Sequence, residues 1–159
     1  MITIGKKVPD FTLEDKDGTK HTLSKIKSKY TVIYFYPKDN TPGCTIEAKK
    51  FNDKLDEFEK LNATIIGISG GDQKSKNKFC CKHDLKILLL SDDENFSVCK
   101  KFECFGKKKF MGREFDGIFR NSYLIDSEMR VIKIYEKAKP AIHAEEILKD
   151  IENVENLEE

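Results

Sequence analysis

Apolar positions along the chain switch between two periods. Residues 31–36 (Thr-Val-Ile-Tyr-Phe-Tyr) form a continuous β-branched and aromatic run, which predicts a strand covered on both faces, ended by Pro37. From Thr41 the period becomes helical: Cys44, Ala48, Phe51, Leu55 and Phe58 are spaced 4-3-4-3 and share one face. Residues 64–69 and 87–90 predict two more buried strands, each followed by a helix, over 73–84 and 94–103. Upstream, 8–13 and 19–23 read as an N-terminal hairpin around Asp17-Gly18. Downstream, 105–117 has no apolar period and reads as a Gly- and Lys-rich loop, 121–125 and 131–135 as two strands around a turn near Asp126–Met129, and 140–151 as a last helix. Alternation of β and α units followed by β-β-α predicts an α/β sandwich, mostly parallel with an antiparallel portion.

Neither a repeat nor a linker interrupts this order. With 159 residues, the expectation is one domain over 1–152 and an acidic, frayed tail over 153–159. Charged residues make up 36% of the chain, but 29 basic and 28 acidic side chains nearly cancel, which argues against nucleic-acid or membrane binding through bulk charge. Lysines dominate the basic set, and the only arginines are Arg113, Arg120 and Arg130. An arginine at a site that needs a planar, permanently charged donor therefore stands out. The start lacks a signal-peptide layout and no stretch has the length of a membrane span, so a cytoplasmic location is expected.

Five cysteines (Cys44, Cys80, Cys81, Cys99, Cys104), odd in number and irregularly spaced, make a poor disulfide framework and point to packing, metal binding or redox chemistry. Cys80, Cys81 and His83 lack a fourth ligand or a second paired cluster, so no metal is expected. Cys44 is different. Thr41 is a suitable N-cap and Pro42 a suitable first helical residue, which puts Cys44 in the first turn, at the carboxyl end of a parallel strand. Unpaired N–H groups and the positive helix end favour the thiolate there. The Thr41 hydroxyl can turn toward the Cys44 sulfur or toward a bound oxygen. Glu47 stands where a Cys-x-x-Cys dithiol would have its second thiol, which disfavours general disulfide reduction and favours a lone nucleophile.

The segment Tyr34-Phe-Tyr-Pro-Lys-Asp-Asn-Thr-Pro-Gly-Cys-Thr45, with Pro37-x-x-x-Thr41-x-x-Cys44 inside it, resembles the peroxiredoxin signature. Pro9-Asp-Phe, Gly67-Ile-Ser, Leu89-Leu-Ser-Asp-Asp, Phe110-Met-Gly-Arg and Gly117-Ile-Phe-Arg-Asn-Ser-Tyr-Leu-Ile-Asp126 extend the resemblance over nearly the whole chain, toward the bacterioferritin comigratory protein or peroxiredoxin Q subfamily. It implies a thioredoxin-like fold, a central mixed sheet flanked by helices with an N-terminal hairpin. It also implies a thiol peroxidase for hydrogen peroxide and organic hydroperoxides, without cofactor, recycled by thioredoxin or a similar dithiol and monomeric. Cys44 would be the peroxidatic cysteine, oxidised to sulfenic acid; Thr41 would bind the peroxide, Pro37 would shield the sulfur, and Arg120 would be the arginine that stabilises thiolate and peroxide.

One branch of the subfamily resolves through a cysteine five residues on; here that residue is Lys49. Another uses the next helix, which Cys80 matches, 36 positions on, with Cys81 as the second choice, about 100° further round the helix. Resolution by an external thiol stays open, as does a redox-sensing role that keeps the fold but turns over poorly. Cys99 reads as a packing residue, and Cys104 has no assigned role. The Lys107-Lys108-Lys109 run reads as a solvated loop able to meet an acidic partner.

Overall fold

The structure, a computed structural model, describes residues 1–158. Strands β1 (Thr12–Glu14) and β2 (Lys20–Thr22) form the N-terminal hairpin, followed by β3 (Tyr30–Phe35) and the helices α1 (Pro42–Asp53) and α2 (Leu55–Lys60). Next come β4 (Ala63–Ser69), α3 (Gln73–His83), β5 (Leu88–Ser91) and α4 (Ser97–Lys101). The last third holds β6 (Phe105–Phe110), β7 (Arg113–Ile118), β8 (Ser122–Asp126), β9 (Val131–Tyr135) and α5 (His143–Glu158).

Seven strands make one sheet in the order β2-β1-β5-β4-β3-β8-β9. The β3 run is buried at every residue because both its faces are covered, as a parallel-sheet strand requires. It pairs in parallel with β4 (Val32 beside Ile65) and antiparallel with β8 (Val32 beside Leu124), so the sheet is mixed. Alternation along β3 splits the core into two layers. Val32, Tyr34 and Tyr36 face α1, α2, α3 and α5, whose Phe51, Phe58, Phe79 and Ile147 are fully buried. Ile33 and Phe35 face the other layer, with Ile66, Ile68, Cys99, Phe102 and Tyr123. Phe51 stacks on Tyr34 with ring centroids 4.5 Å apart, which fixes α1 over the centre of the sheet.

Four sequence expectations need correction. The helical face from Cys44 to Phe58 is carried by two helices, because the backbone breaks at Lys54 (φ −103°, ψ 9°); Phe51 and Phe58 are buried nonetheless. Of the expected helix 94–103, only Ser97–Lys101 is helical. Residues 105–118 are a hairpin, not a loop, with Phe105 beside Ile118 and Phe110 beside Arg113. Most of its side chains face solvent, so no alternation marks it. The tail expected to fray from residue 153 is helical through Glu158, with Val154 against the core and Lys29 Nζ 2.7 Å from Glu155 and 2.8 Å from Glu158; Glu159 lies outside the described residues.

Candidate active site

The site forms where β3 leaves the sheet. Tyr36 N–H still donates to Ile68 O (3.1 Å), after which the chain crosses Pro37–Asn40 and enters α1. Asn40 has φ 61°, a left-handed turn that an Asn tolerates. Thr41 is the N-cap, but its hydroxyl donates back to Lys38 O (2.9 Å) and does not cap an α1 N–H. Its oxygen lone pairs and the first N–H groups of α1 are thus not used on each other. Pro37 is half-buried in the same loop.

Cys44 is 1% exposed, in the first turn of α1. Arg120 reaches it from the segment leading into β8: Nη2 donates to Cys44 Sγ (3.4 Å), while Nη1 donates to Glu47 Oε1 (2.8 Å). Two backbone bonds fix the base of that arginine, Ala138 N–H to Arg120 O (2.8 Å) and Phe35 N–H to Asn121 O (2.9 Å). Gly43 leaves the guanidinium its space, since a Cβ there would lie 3.2 Å from Nη2.

Glu47, fully buried on the inner face of α1, is pushed up to about 7 by burial, against the opposing pull of Arg120. Its second oxygen, Oε2, has no hydrogen-bond partner among the described residues. Burial works to lower Arg120, but Glu47 and Cys44 outweigh it and hold the guanidinium above its ordinary value. Lys108 of β6 donates to Ile118 O (2.9 Å) and is shifted down by burial and by the Arg120 charge. A buried sulfur at a helix N-terminus, touched by a permanently charged planar donor, is an arrangement suited to a thiolate nucleophile.

The chain is similar to known proteins over most of its length. A family model described as the AhpC/TSA family matches residues 4–134. "Peroxiredoxin Bcp" of Bacillus subtilis is 44% identical over 153 residues, 96% of this chain and 97% of that protein. "Peroxiredoxin Bcp" of Escherichia coli is 36% identical over 147 residues, 92% and 94% of the two chains. Among solved structures, peroxiredoxin Q of Xanthomonas campestris superposes with a TM-score of 0.83 at 37% identity, covering 90% of each chain. A cysteine-to-serine variant of PrxQ from Xylella fastidiosa gives 0.89 at 34%, covering 96% and 97%.

The chain belongs to the peroxiredoxin family. Peroxiredoxins are thiol-dependent peroxidases, so the chain is an oxidoreductase, and the mixed sheet with flanking helices is the thioredoxin-like fold of these structures.

In this peroxiredoxin all five cysteines are free thiols. Cys80, on α3, is 5% exposed in the same apolar layer as Cys44, and burial pushes its thiol up to about 11. Cys81 is exposed and donates to Asn77 Oδ1 (3.4 Å), so the adjacent pair diverges around the helix. Both line a groove of about 360 Å³ with Lys16, Asp84 and Leu85. Cys99 and Cys104 are buried in the opposite layer of the sheet, where burial raises both thiols, Cys104 to about 12. Three polar residues escaped sequence reasoning: Glu47, Asp39 and Lys76. Each is an ionisable side chain yet buried, and Glu47 and Lys76 carry a signal in the sequence, as ionisable groups set three or four residues from apolar positions on an inward helix face.

Proposed function

We propose that Cys44 is the peroxidatic cysteine of a thioredoxin-recycled peroxidase acting on hydrogen peroxide and organic hydroperoxides. The observation that carries this reading is the 3.4 Å contact from Arg120 Nη2 to Cys44 Sγ at the start of α1. The thiolate attacks one peroxide oxygen, the O–O bond breaks, and the other oxygen leaves as water or alcohol after taking a proton, with Cys44 left as sulfenic acid. Arg120 offers N–H groups and positive charge to the departing oxygen. Thr41 hydrogen-bonds the peroxide, and Pro37 shields the sulfur.

Cys80 resolves the sulfenic acid: its sulfur bonds to Cys44 Sγ, the S–O bond breaks, and the hydroxyl leaves as water with the Cys80 proton. Both sulfurs are buried on α1 and α3, so local unwinding accompanies this step. A related structure concerns alkyl peroxide reduction by the Xanthomonas campestris bacterioferritin comigratory protein. Two cysteine-to-serine variants of that organism's peroxiredoxin Q carry their substitutions 36 positions apart, the spacing between Cys44 and Cys80. A dithiol reductant of the thioredoxin kind then exchanges with the disulfide, in a reducing cytoplasm and on a monomer.

The test is a thioredoxin-coupled peroxide assay with Cys44, Cys80 and Cys81 each changed to Ser, plus peptide mapping after one equivalent of peroxide. Cys44→Ser is expected to lose peroxide consumption, and mapping is expected to find Cys44 joined to Cys80. Normal turnover by Cys44→Ser would overturn the reading, and a bridge from Cys44 to Cys81, Cys99 or Cys104 would overturn the choice of resolver.

A further inference from the structure

A second charged cluster is buried behind the loop that leads into α1. Lys76, on α3, is 0% exposed, and its ammonium donates to Asp39 Oδ2 (3.0 Å), Ser69 Oγ (2.8 Å) and Gly70 O (2.6 Å). Asp39 also accepts from Tyr36 OH (2.6 Å) and Ser75 Oγ (2.7 Å). Every lysine donor and both carboxylate oxygens are therefore engaged. A buried ion pair adds little net stability over an apolar pair of similar volume. What it adds is fixity, because neither partner can depart without stranding the other charge in the interior.

The two partners stand in particular places. Asp39 is five residues before Cys44, and Lys76 is four before Cys80 and on the same face of α3. The first turn of α3 is bolted down inside the core by Lys76 and Ser75, whereas its last turn, beyond Cys80, is tied to the same loop only by an exposed contact between His83 Nε2 and Asn40 Oδ1 (3.2 Å) and ends at Asp84 in a left-handed turn.

We infer that the Lys76–Asp39 pair is a positioning clamp for the resolving step: it holds the start of α3 against the Cys44 loop while the turn that carries Cys80 unwinds to reach the Cys44 sulfenic acid. This rests on Cys80 being the resolver. Through the clamp, the tether between the two sulfurs is nine residues, against 36 along the chain. The longer path is itself anchored, since β4 pairs on both sides in the sheet, so losing the clamp loosens only the start of α3, and ring closure is expected to slow by more than about two-fold. The slower step leaves the sulfenic acid exposed for longer to a second peroxide, which carries it to sulfinic acid.

The test uses the full chain with Asp39→Asn and Lys76→Met together, which removes both charges and avoids leaving one unpaired in the core. Rapid quenching and mass spectrometry after peroxide follow Cys44 oxidation and Cys44–Cys80 bridging separately. Cys44 oxidation within two-fold of wild type, bridging slowed by more than about two-fold and a larger sulfinic fraction at excess peroxide are expected. Bridging within two-fold of wild type overturns the inference, as does an equal fall in both steps with a lowered melting midpoint, which marks a merely structural pair. Cys80→Ser, run alongside, separates the two readings: if it still forms its disulfide, the resolver assignment falls and the clamp with it; if it does not, the double variant judges the clamp alone.

Discussion

Replacing Arg120 by Met removes the charge that touches Cys44 while keeping most of the side-chain volume. Two effects follow, and they can be separated. The sulfur loses a charge-assisted hydrogen bond at 3.4 Å, a contact of a class that contributes about 1.5–3 kcal/mol. If that contribution is realised in the transition state, the second-order rate constant with hydrogen peroxide falls about 10- to 150-fold. Glu47 simultaneously loses its 2.8 Å hydrogen bond from Arg120 and, already near 7, is expected to take up a proton and not remain a bare buried carboxylate. The fold should therefore survive. Competition kinetics against a second peroxidase give the rate constant, and the same measurement on Arg120→Met/Glu47→Gln decides the cause. Stability should recover in the double variant, but the rate should not. A single variant reacting within two-fold of wild type would refute the assigned role of Arg120. Full recovery of the rate in the double variant would refute it too, since the fault would then lie with a stranded carboxylate.

Two other outcomes are expected. In the folded chain Glu47 holds its proton to about 7, whereas in the unfolded chain it releases it near its ordinary 4.5. Stability should thus fall by about 3 kcal/mol as pH rises from about 4.5 to about 7 and level off above, a slope that Glu47→Gln removes; parallel urea titrations that show no difference in slope would contradict it. Gly43→Ala places a methyl 3.2 Å from Arg120 Nη2 in an otherwise ordinary helical turn, so peroxide reactivity should drop about three- to ten-fold with little change in melting midpoint. A wild-type rate in that variant would mean that the guanidinium tolerates displacement.

The parts of the fold that could be read from the sequence are those whose burial leaves a period. β3, β4 and the inner face of α1 are apolar at most positions that meet the core, Thr31, Ser69 and Glu47 being the buried exceptions, and the Thr-Pro-Gly-Cys entry into α1 marks Cys44 as lying at a helix start. Arg120 stood out through the scarcity of arginine and through the family resemblance. The β6–β7 hairpin was hidden because its strands pair only with each other and show mostly polar side chains to water on both faces. Local rules predicted the Thr41 cap, yet its hydroxyl goes to Lys38 O, a competing local bond that the rules do not rank. Glu47, Asp39 and Lys76 were obscure for another reason. Their partners lie 73 and 37 residues apart in sequence, so nothing nearby says that a charge is matched.

The hairpin has one more consequence, for how this chain can change length. Its strands end opposite each other, Phe105 beside Ile118, and Phe119 N–H closes onto Cys104 O (2.7 Å), so the excursion starts and finishes at one spot just before Arg120. Matched trimming or lengthening at the Met111-Gly112 tip leaves that closure untouched, and with it the anchor of the arginine. Insertions, affinity tags and natural length variation can therefore accumulate at the tip without a change of register in β8.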